Sequence, residues 1–176
     1  MITYINIKLN QEIRGSGLAY SSWIYSSFLN DKLTLSIYRA SKMTEAFIMA
    51  EKVIRNHVED KNKLDPNLVD SAIGQLIQDQ TALESNPRSL AELSFSNYVL
   101  GKDAFYNRNL IKSAREVTLS GMIAAARKFL PSLLNKEVAQ TAILCNPSEV
   151  KDINQNFNKF GVKLTSYDSI DDIFVK

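Results

Sequence analysis

Two neighbouring segments of alternating residues constrain the fold of this chain most strongly. In residues 18–28 the even-numbered positions, which include Leu18 and Ile24, share one face of an extended chain, and residues 33–38 alternate in the same way. The intervening Asn30, Asp31 and Lys32 are residue types that favour a tight turn. The pattern therefore predicts an antiparallel hairpin whose two faces are both partly covered.

Helical periodicity dominates most of the remaining sequence. Residues 2–13 fit either a strand or one side of a helix, because their apolar positions satisfy both periods. Ser41 and Thr44 are candidate caps for the helix after the hairpin, and Asp65 followed by Pro66 predicts the start of another. Residues 104–116, 118–134 and 147–160 predict three more helices, with Thr118 capping the second and Gly161 ending the last.

Two further segments read as strands, at residues 138–145 and 162–167. With the hairpin and the helices they predict an α+β fold, in which helices pack on one face of a mainly antiparallel sheet. The chain has 176 residues, which suits a single domain, and no linker or repeat divides it. We expect residues 1–176 to form one domain.

The segment from Arg14 to Tyr20 is the most promising functional feature. It places a cation and a phenol six positions apart, and Gly15 and Gly17 stand between them. Because glycine lets a backbone turn sharply or approach another group closely, the segment predicts a bend that presents both side chains. An alternative reading is structural, with Tyr20 a half-buried strand aromatic and Arg14 a surface cation beside a turn.

This heptapeptide, the strand pattern of residues 32–39 and the helix pattern of residues 44–57 together resemble the C-terminal half of the insulinase/pitrilysin family of zinc metallopeptidases. The presequence-protease-like branch is the most similar, since it carries an arginine, a glycine-rich link and an Ala-Tyr at this spacing. The resemblance implies the fold of that family, and it favours a helix for residues 2–13. It also implies that this chain is a C-terminal domain without zinc ligands.

The resemblance further implies roles for individual residues. Arg14 and Tyr20 would be catalytic, because they would bind the scissile carbonyl of a peptide and stabilise the oxyanion that forms from it. Gly17, Leu18 and Ala19 would contact the substrate. The implied partners are the N-terminal half of the same parent chain, which would hold the zinc, and peptide substrates. An alternative with the same fold is a non-catalytic structural or docking subunit.

The chain itself offers little metal or nucleophile chemistry. It contains one histidine, His57, and one cysteine, Cys145, whereas a catalytic zinc normally has three protein ligands. We therefore predict no metal or cofactor in this chain and no peptidase activity of the chain alone. Cys145 ends an apolar run and is expected to be a buried structural thiol. Asp168, Asp171 and Asp172 are expected to be solvated.

Charge and hydropathy exclude other classes of function. The net charge is only +2, and the basic residues form no stripe, so nucleic-acid binding is not expected. No apolar run approaches the ~20 residues that span a bilayer, so we expect no membrane segment. The N-terminus lacks the features of a signal or transit peptide, and the single cysteine favours a reducing compartment. An intracellular location is expected, with the cytoplasm favoured and the mitochondrion as the alternative.

Overall fold

A computed structural model describes residues 1–27, 32–59 and 65–173 of the chain. Helix α1 (Ile2–Leu9) continues into a π-helical segment (Asn10–Arg14), and strands β1 (Ala19–Ser27) and β2 (Lys32–Ala40) follow. The helices after the hairpin are α2 (Met43–Glu59), α3 (Pro66–Leu83), α4 (Pro87–Val99), α5 (Tyr106–Arg115), α6 (Leu119–Phe129) and α7 (Val150–Lys159). Short 3-10 segments lie at Leu130–Leu134, Pro147–Glu149 and Ile170–Ile173. The predicted α+β class is confirmed.

The hairpin forms as predicted, and its strands are antiparallel. Ile24 lies opposite Leu35, and Ser27 lies opposite Lys32. Lys32 therefore belongs to β2 and not to the turn where we expected it, while Asn30 and Asp31 lie outside the described residues. Within the part of the chain that is described, the sheet contains only these two strands.

The helices cover one face of the hairpin, and the core lies between the helices and this face. Ile24 is buried on this face, whereas Tyr25 and Tyr38, on the other, are about half exposed. Burial of the apolar side chains is the main force that holds the layers together. The core consists of Tyr4, Ile5, Leu9, Ile13, Ala19, Ile24, Ala46, Ala50, Val53, Ile54, Val69, Ala72, Met122, Ala126 and Leu130.

Helix α1 also binds the outer edge of β1 through side-chain amides. Asn6 accepts a hydrogen bond from the Ile24 N–H at 2.6 Å and donates one to the Ile24 carbonyl at 2.9 Å. One turn later, Asn10 accepts from the Ser22 N–H at 3.4 Å. Asn6 thus makes the pair of bonds that a neighbouring strand would make, and it satisfies backbone groups that would otherwise be costly to bury.

Most of the predicted helix boundaries are confirmed, but neither candidate cap of α2 is right, because the helix begins at Met43, with Thr44 inside it, and the Ser41 hydroxyl donates to the carbonyls of Gly17 and Leu18. Residues 2–14 are helical, which settles the ambiguity of that segment. The Asp65 carboxylate caps α3 by accepting from the Asn67 N–H at 2.9 Å, and Thr118 caps α6 by accepting from the Gly121 N–H. Gly161 ends α7 with a φ of 75°, the left-handed stop that its position indicated. No helix in the described ranges has both the length and the apolar character needed to cross a membrane.

The two later strands were predicted wrongly. The predicted strand 138–145 begins at the end of a turn and is otherwise irregular, residues 162–167 are irregular, and no described strand pairs with either segment. Cys145, which we expected to be a buried thiol, is only partly buried, and Leu144 before it is 99% exposed. The physical reason is that a strand needs a hydrogen-bonding neighbour, and local residue pattern does not supply one.

Candidate functional site

Arg14 and Tyr20 lie together on the surface of the protein. Arg14 is the last residue of the π-helical segment, and Tyr20 is the second residue of β1. The Arg14 guanidinium carbon is 5.4 Å from the centre of the Tyr20 ring, which is a cation–π contact. Arg14 is exposed, and the Tyr20 side chain is 59% exposed. The bend expected from the sequence therefore presents both groups to solvent side by side.

The two glycines between these residues are required for different reasons. Gly17 has a φ of 69°, a left-handed conformation that side chains other than glycine rarely adopt. Gly15 has a helical φ of −60°, but a Cβ at this position would collide with the Gln11 carbonyl oxygen. Gly15 thus lets the chain lie against the Gln11 carbonyl of the preceding helical turn, and Gly17 permits the turn that leads into β1.

The loop between Arg14 and Tyr20 is hydrogen-bonded to the residues that follow β2. The Ser41 hydroxyl donates to the carbonyls of Gly17 and Leu18, at 2.8 and 3.1 Å. The N–H groups of Ser41 and Lys42 also donate to the Leu18 carbonyl. Leu18 packs partly buried against the core, and Ala19 is buried. These contacts fix the backbone from which Tyr20 projects.

Gly17, Leu18 and Ala19, which we predicted to contact the substrate, make most of these contacts within the protein. The Leu18 N–H donates to the Ile13 carbonyl at 3.0 Å, so both its backbone groups already have partners within the protein. Of the three residues only Gly17 is exposed. Their observed contacts position the loop, and direct contact with a substrate stays a prediction.

Two residues that the sequence did not single out lie beside this pair. The Tyr38 ring meets the Tyr20 ring edge to face, with the centres 6.4 Å apart and the planes at 78°. The Arg39 guanidinium lies over the Tyr38 ring at 5.2 Å, and Trp23 packs against Tyr38 at 6.4 Å. The hairpin register was the missing signal, since it places Tyr38 opposite Ser21 and so brings Tyr38 and Arg39 close to Tyr20.

The single histidine serves the core and not this site. His57 is 8% exposed, its Nδ1–H donates to the Val53 carbonyl at 2.6 Å, and its ring meets that of Tyr4 at 5.8 Å. Burial raises the pKa of Tyr4, whose hydroxyl oxygen accepts from the Asp65 N–H at 3.1 Å. Among the described residues, no three His, Cys, Asp or Glu side chains are grouped closely enough to hold a metal ion.

The chemistry available at the site is donation to an electron-rich oxygen. A guanidinium stays protonated in proteins, and a phenol offers a neutral hydroxyl, so both groups donate hydrogen bonds at neutral pH. Neither can act as a general base there. Two open clefts of about 240 and 290 Å³ lie elsewhere, one between α2 and the 3-10 segment Leu130–Leu134 and one along α4, and neither is lined by Arg14 or Tyr20.

Comparison with known proteins identifies a distant relative of uncertain role. The chain is 20% identical over 166 residues to the "Uncharacterized protein YOL098C" of Saccharomyces cerevisiae. The alignment covers 91% of this chain but only 16% of the yeast protein, so the chain spans less than a fifth of the length of this relative. No family model matches the sequence. No solved structure matches it either.

Proposed function

We propose that this chain is the C-terminal, non-zinc part of a zinc metalloendopeptidase of the insulinase type. Its role is to supply Arg14 and Tyr20 to an active site whose metal is held by the N-terminal half of the parent protein. The substrates are peptides small enough to be enclosed between the halves. The observation that carries this proposal is the exposed, adjacent placement of the Arg14 guanidinium and the Tyr20 phenol on either side of the loop that both glycines shape.

The proposed reaction needs what these two groups provide. When a peptide carbonyl is attacked, its oxygen becomes negative, and preformed donors aimed at that oxygen lower the barrier by about 3 kcal/mol each. Arg14 would donate hydrogen bonds from a positively charged group, whereas Tyr20 would donate one from a neutral hydroxyl. The zinc in the other half would supply a polarised water as the nucleophile. Closure of the halves would exclude bulk water and strengthen both donors.

The surface supports a large partner. Leu144 is 99% exposed, and Phe95 and Tyr98, three residues apart on α4, are 69% and 82% exposed, so a partner that packs against them would bury apolar surface. Strand β2 has no described neighbour on its outer edge, and an open edge is a site for pairing with another strand. A protein such as the yeast relative contains ample further chain to cover these surfaces.

A substitution in the complete parent protein tests the role of Arg14. We expect Arg14→Ala to lower kcat/KM for a peptide by about tenfold or more, because the oxyanion loses a charged donor. Zinc content and melting temperature should stay unchanged, since Arg14 is exposed and outside the core. Arg108→Ala, at an exposed position of α5, removes the same charge and is the control. Equal rates for Arg14→Ala and wild type would refute the oxyanion role.

The uncovered apolar surfaces also favour a second candidate, a non-catalytic docking subunit with the same fold. Such a subunit would keep its partner contacts but would not depend on a guanidinium or a phenol. A parent protein that lacks both peptidase activity and an inverted His-x-x-Glu-His zinc motif would support this candidate.

A further inference from the structure

A continuous array of four side chains extends across the end of the hairpin. Arg14 lies over Tyr20, Tyr20 meets Tyr38 edge to face, and Arg39 lies over Tyr38. We call these four residues the Arg–Tyr array. Tyr20 and Tyr38 are 59% and 47% exposed, and both arginines are exposed. The array therefore adds a second tyrosine and a second arginine, both from β2, to the Arg14–Tyr20 pair that the sequence indicated.

The backbone of Arg39 indicates that its side chain matters. Its φ is 51°, and Arg39 is the only residue other than glycine with a positive φ among those described. Glycine would adopt this conformation without strain, whereas arginine does so at a cost in free energy. The bend lies where β2 ends, immediately before Ser41 and Lys42 donate to the Leu18 carbonyl. An arginine at this strained position places its guanidinium over the Tyr38 ring, which in turn contacts the Tyr20 ring.

Neither guanidinium of the Arg–Tyr array forms an ion pair within the described part of the chain. The ion pairs among the described residues join Arg55 to Glu51 and Arg88 to Glu92, so neither Arg14 nor Arg39 is paired with a described carboxylate. Guanidinium groups match the geometry of a carboxylate and bind it through charge-assisted hydrogen bonds. The two phenols add neutral donors on the same surface. The complementary ligand is thus a carboxylate.

The surroundings favour an acidic side chain within a peptide over a free C-terminus. Terminal carboxylates are commonly captured by a nest of backbone N–H groups, whereas the donors here are side chains. On the face of the hairpin away from the core, Tyr25 and Tyr38 are about half exposed and Trp23 is partly exposed, so a peptide could continue across it on either side of the array. Trp23 and Tyr38 offer rings against which its neighbouring residues could pack.

We infer that Tyr38 and Arg39 extend the substrate site and that Arg39 selects peptides with an acidic side chain. This inference rests on the proposed function, because the bound peptide is a substrate only if the parent protein is a peptidase. Binding, however, can be measured without catalysis. Trp23 is the only tryptophan of the chain and its ring lies 6.4 Å from that of Tyr38, so its fluorescence reports on this surface.

The test is a fluorescence titration of the 176-residue chain with blocked pentapeptides at low ionic strength. We expect acetyl-AAEAA-amide to bind about fivefold or more tightly than acetyl-AAQAA-amide, because a carboxylate gains charge-assisted bonds. Arg39→Gln should abolish the difference, while Arg108→Gln, which removes the same charge from exposed α5, should keep it. Arg39→Gly is a second variant that should fold well, because glycine adopts a positive φ without strain, and it should also abolish the preference for the glutamate peptide.

Several results would overturn the inference. Equal binding of the two peptides, no binding of either, or a preference that survives Arg39→Gln would each do so. Tighter binding of acetyl-AAQAA with a free C-terminus than of the glutamate peptide would assign the site to chain ends instead. Turnover that depends on Arg14 but shows no acidic preference would sink this inference alone. An acidic preference in a parent protein without peptidase activity would instead sink only the proposed function.

Discussion

Asn6 is the residue whose removal should most directly weaken the framework of the site. Its amide makes two hydrogen bonds with the backbone of Ile24, at 2.6 and 2.9 Å, and Ile24 is 1% exposed. Asn6→Ala removes both bonds and leaves a buried N–H and a buried carbonyl without their partner. Each unsatisfied buried group costs about 1–3 kcal/mol.

The expected loss can be estimated from these two groups. Alanine is a better helix former than asparagine, which returns roughly 0.5 kcal/mol in the middle of α1. The net expectation is a decrease of about 1.5–5.5 kcal/mol in the free energy of unfolding, a large fraction of the ~5–15 kcal/mol of a typical domain. The melting temperature of a protein of this size should fall by roughly 3–22 °C.

Urea unfolding followed by circular dichroism measures this change. Asn109→Ala is the control, because Asn109 is an exposed helical asparagine and gains the same helix propensity without losing a backbone contact. The control should lie within about 0.5 kcal/mol of wild type. If Asn6→Ala is equally mild, the amide does not act as the neighbour of β1, and the reasoning fails.

Two further predictions concern alkaline pH and the loop glycines. Burial raises the pKa of Tyr4, so its neutral form stabilises the fold fully below the unfolded value of about 10, and this contribution should be lost as pH rises through the folded value. Tyr4→Phe should therefore flatten the alkaline decline in melting temperature, and an unchanged decline would contradict the assignment. Gly17→Ala should cost about 1–2 kcal/mol for its left-handed φ, measured by urea unfolding. Gly15→Ala should cost more, because the Gln11 carbonyl must move, and the reverse order would refute the separate roles of the glycines.

Local chemistry explains which elements could be predicted from the sequence. The alternation of residues 18–28 and 33–38 identified the hairpin because apolar side chains must reach the same face to be buried. Asp65 and Pro66 identified the start of α3 because the cap and the ring act within a few residues of each other. The bend between Arg14 and Tyr20 was predictable for the same reason, since two glycines determine it locally.

Features that depend on distant contacts were missed. The segment 138–145 has the composition of a strand, yet no described strand pairs with it, and pairing is not encoded in a single segment. Tyr38 and Arg39 lie near Tyr20 because of the hairpin register and the left-handed backbone of Arg39. An arginine in the sequence does not predict a left-handed backbone. Asn6 and Asn10 share one side of α1 by their spacing, but nothing local indicates that this side meets the edge of β1.

The measurement that most directly tests the central claim compares two tyrosine variants in the complete parent protein. Tyr20→Phe keeps the ring that contacts Arg14 and removes only the hydroxyl, whereas Tyr167→Phe makes the same change at an exposed position outside the hairpin. We predict that kcat/KM for a peptide falls by about tenfold or more for Tyr20→Phe and changes by less than about twofold for Tyr167→Phe, with equal zinc content. Equal kcat/KM values for the two variants would contradict the account, because Tyr20 would then donate nothing to the transition state.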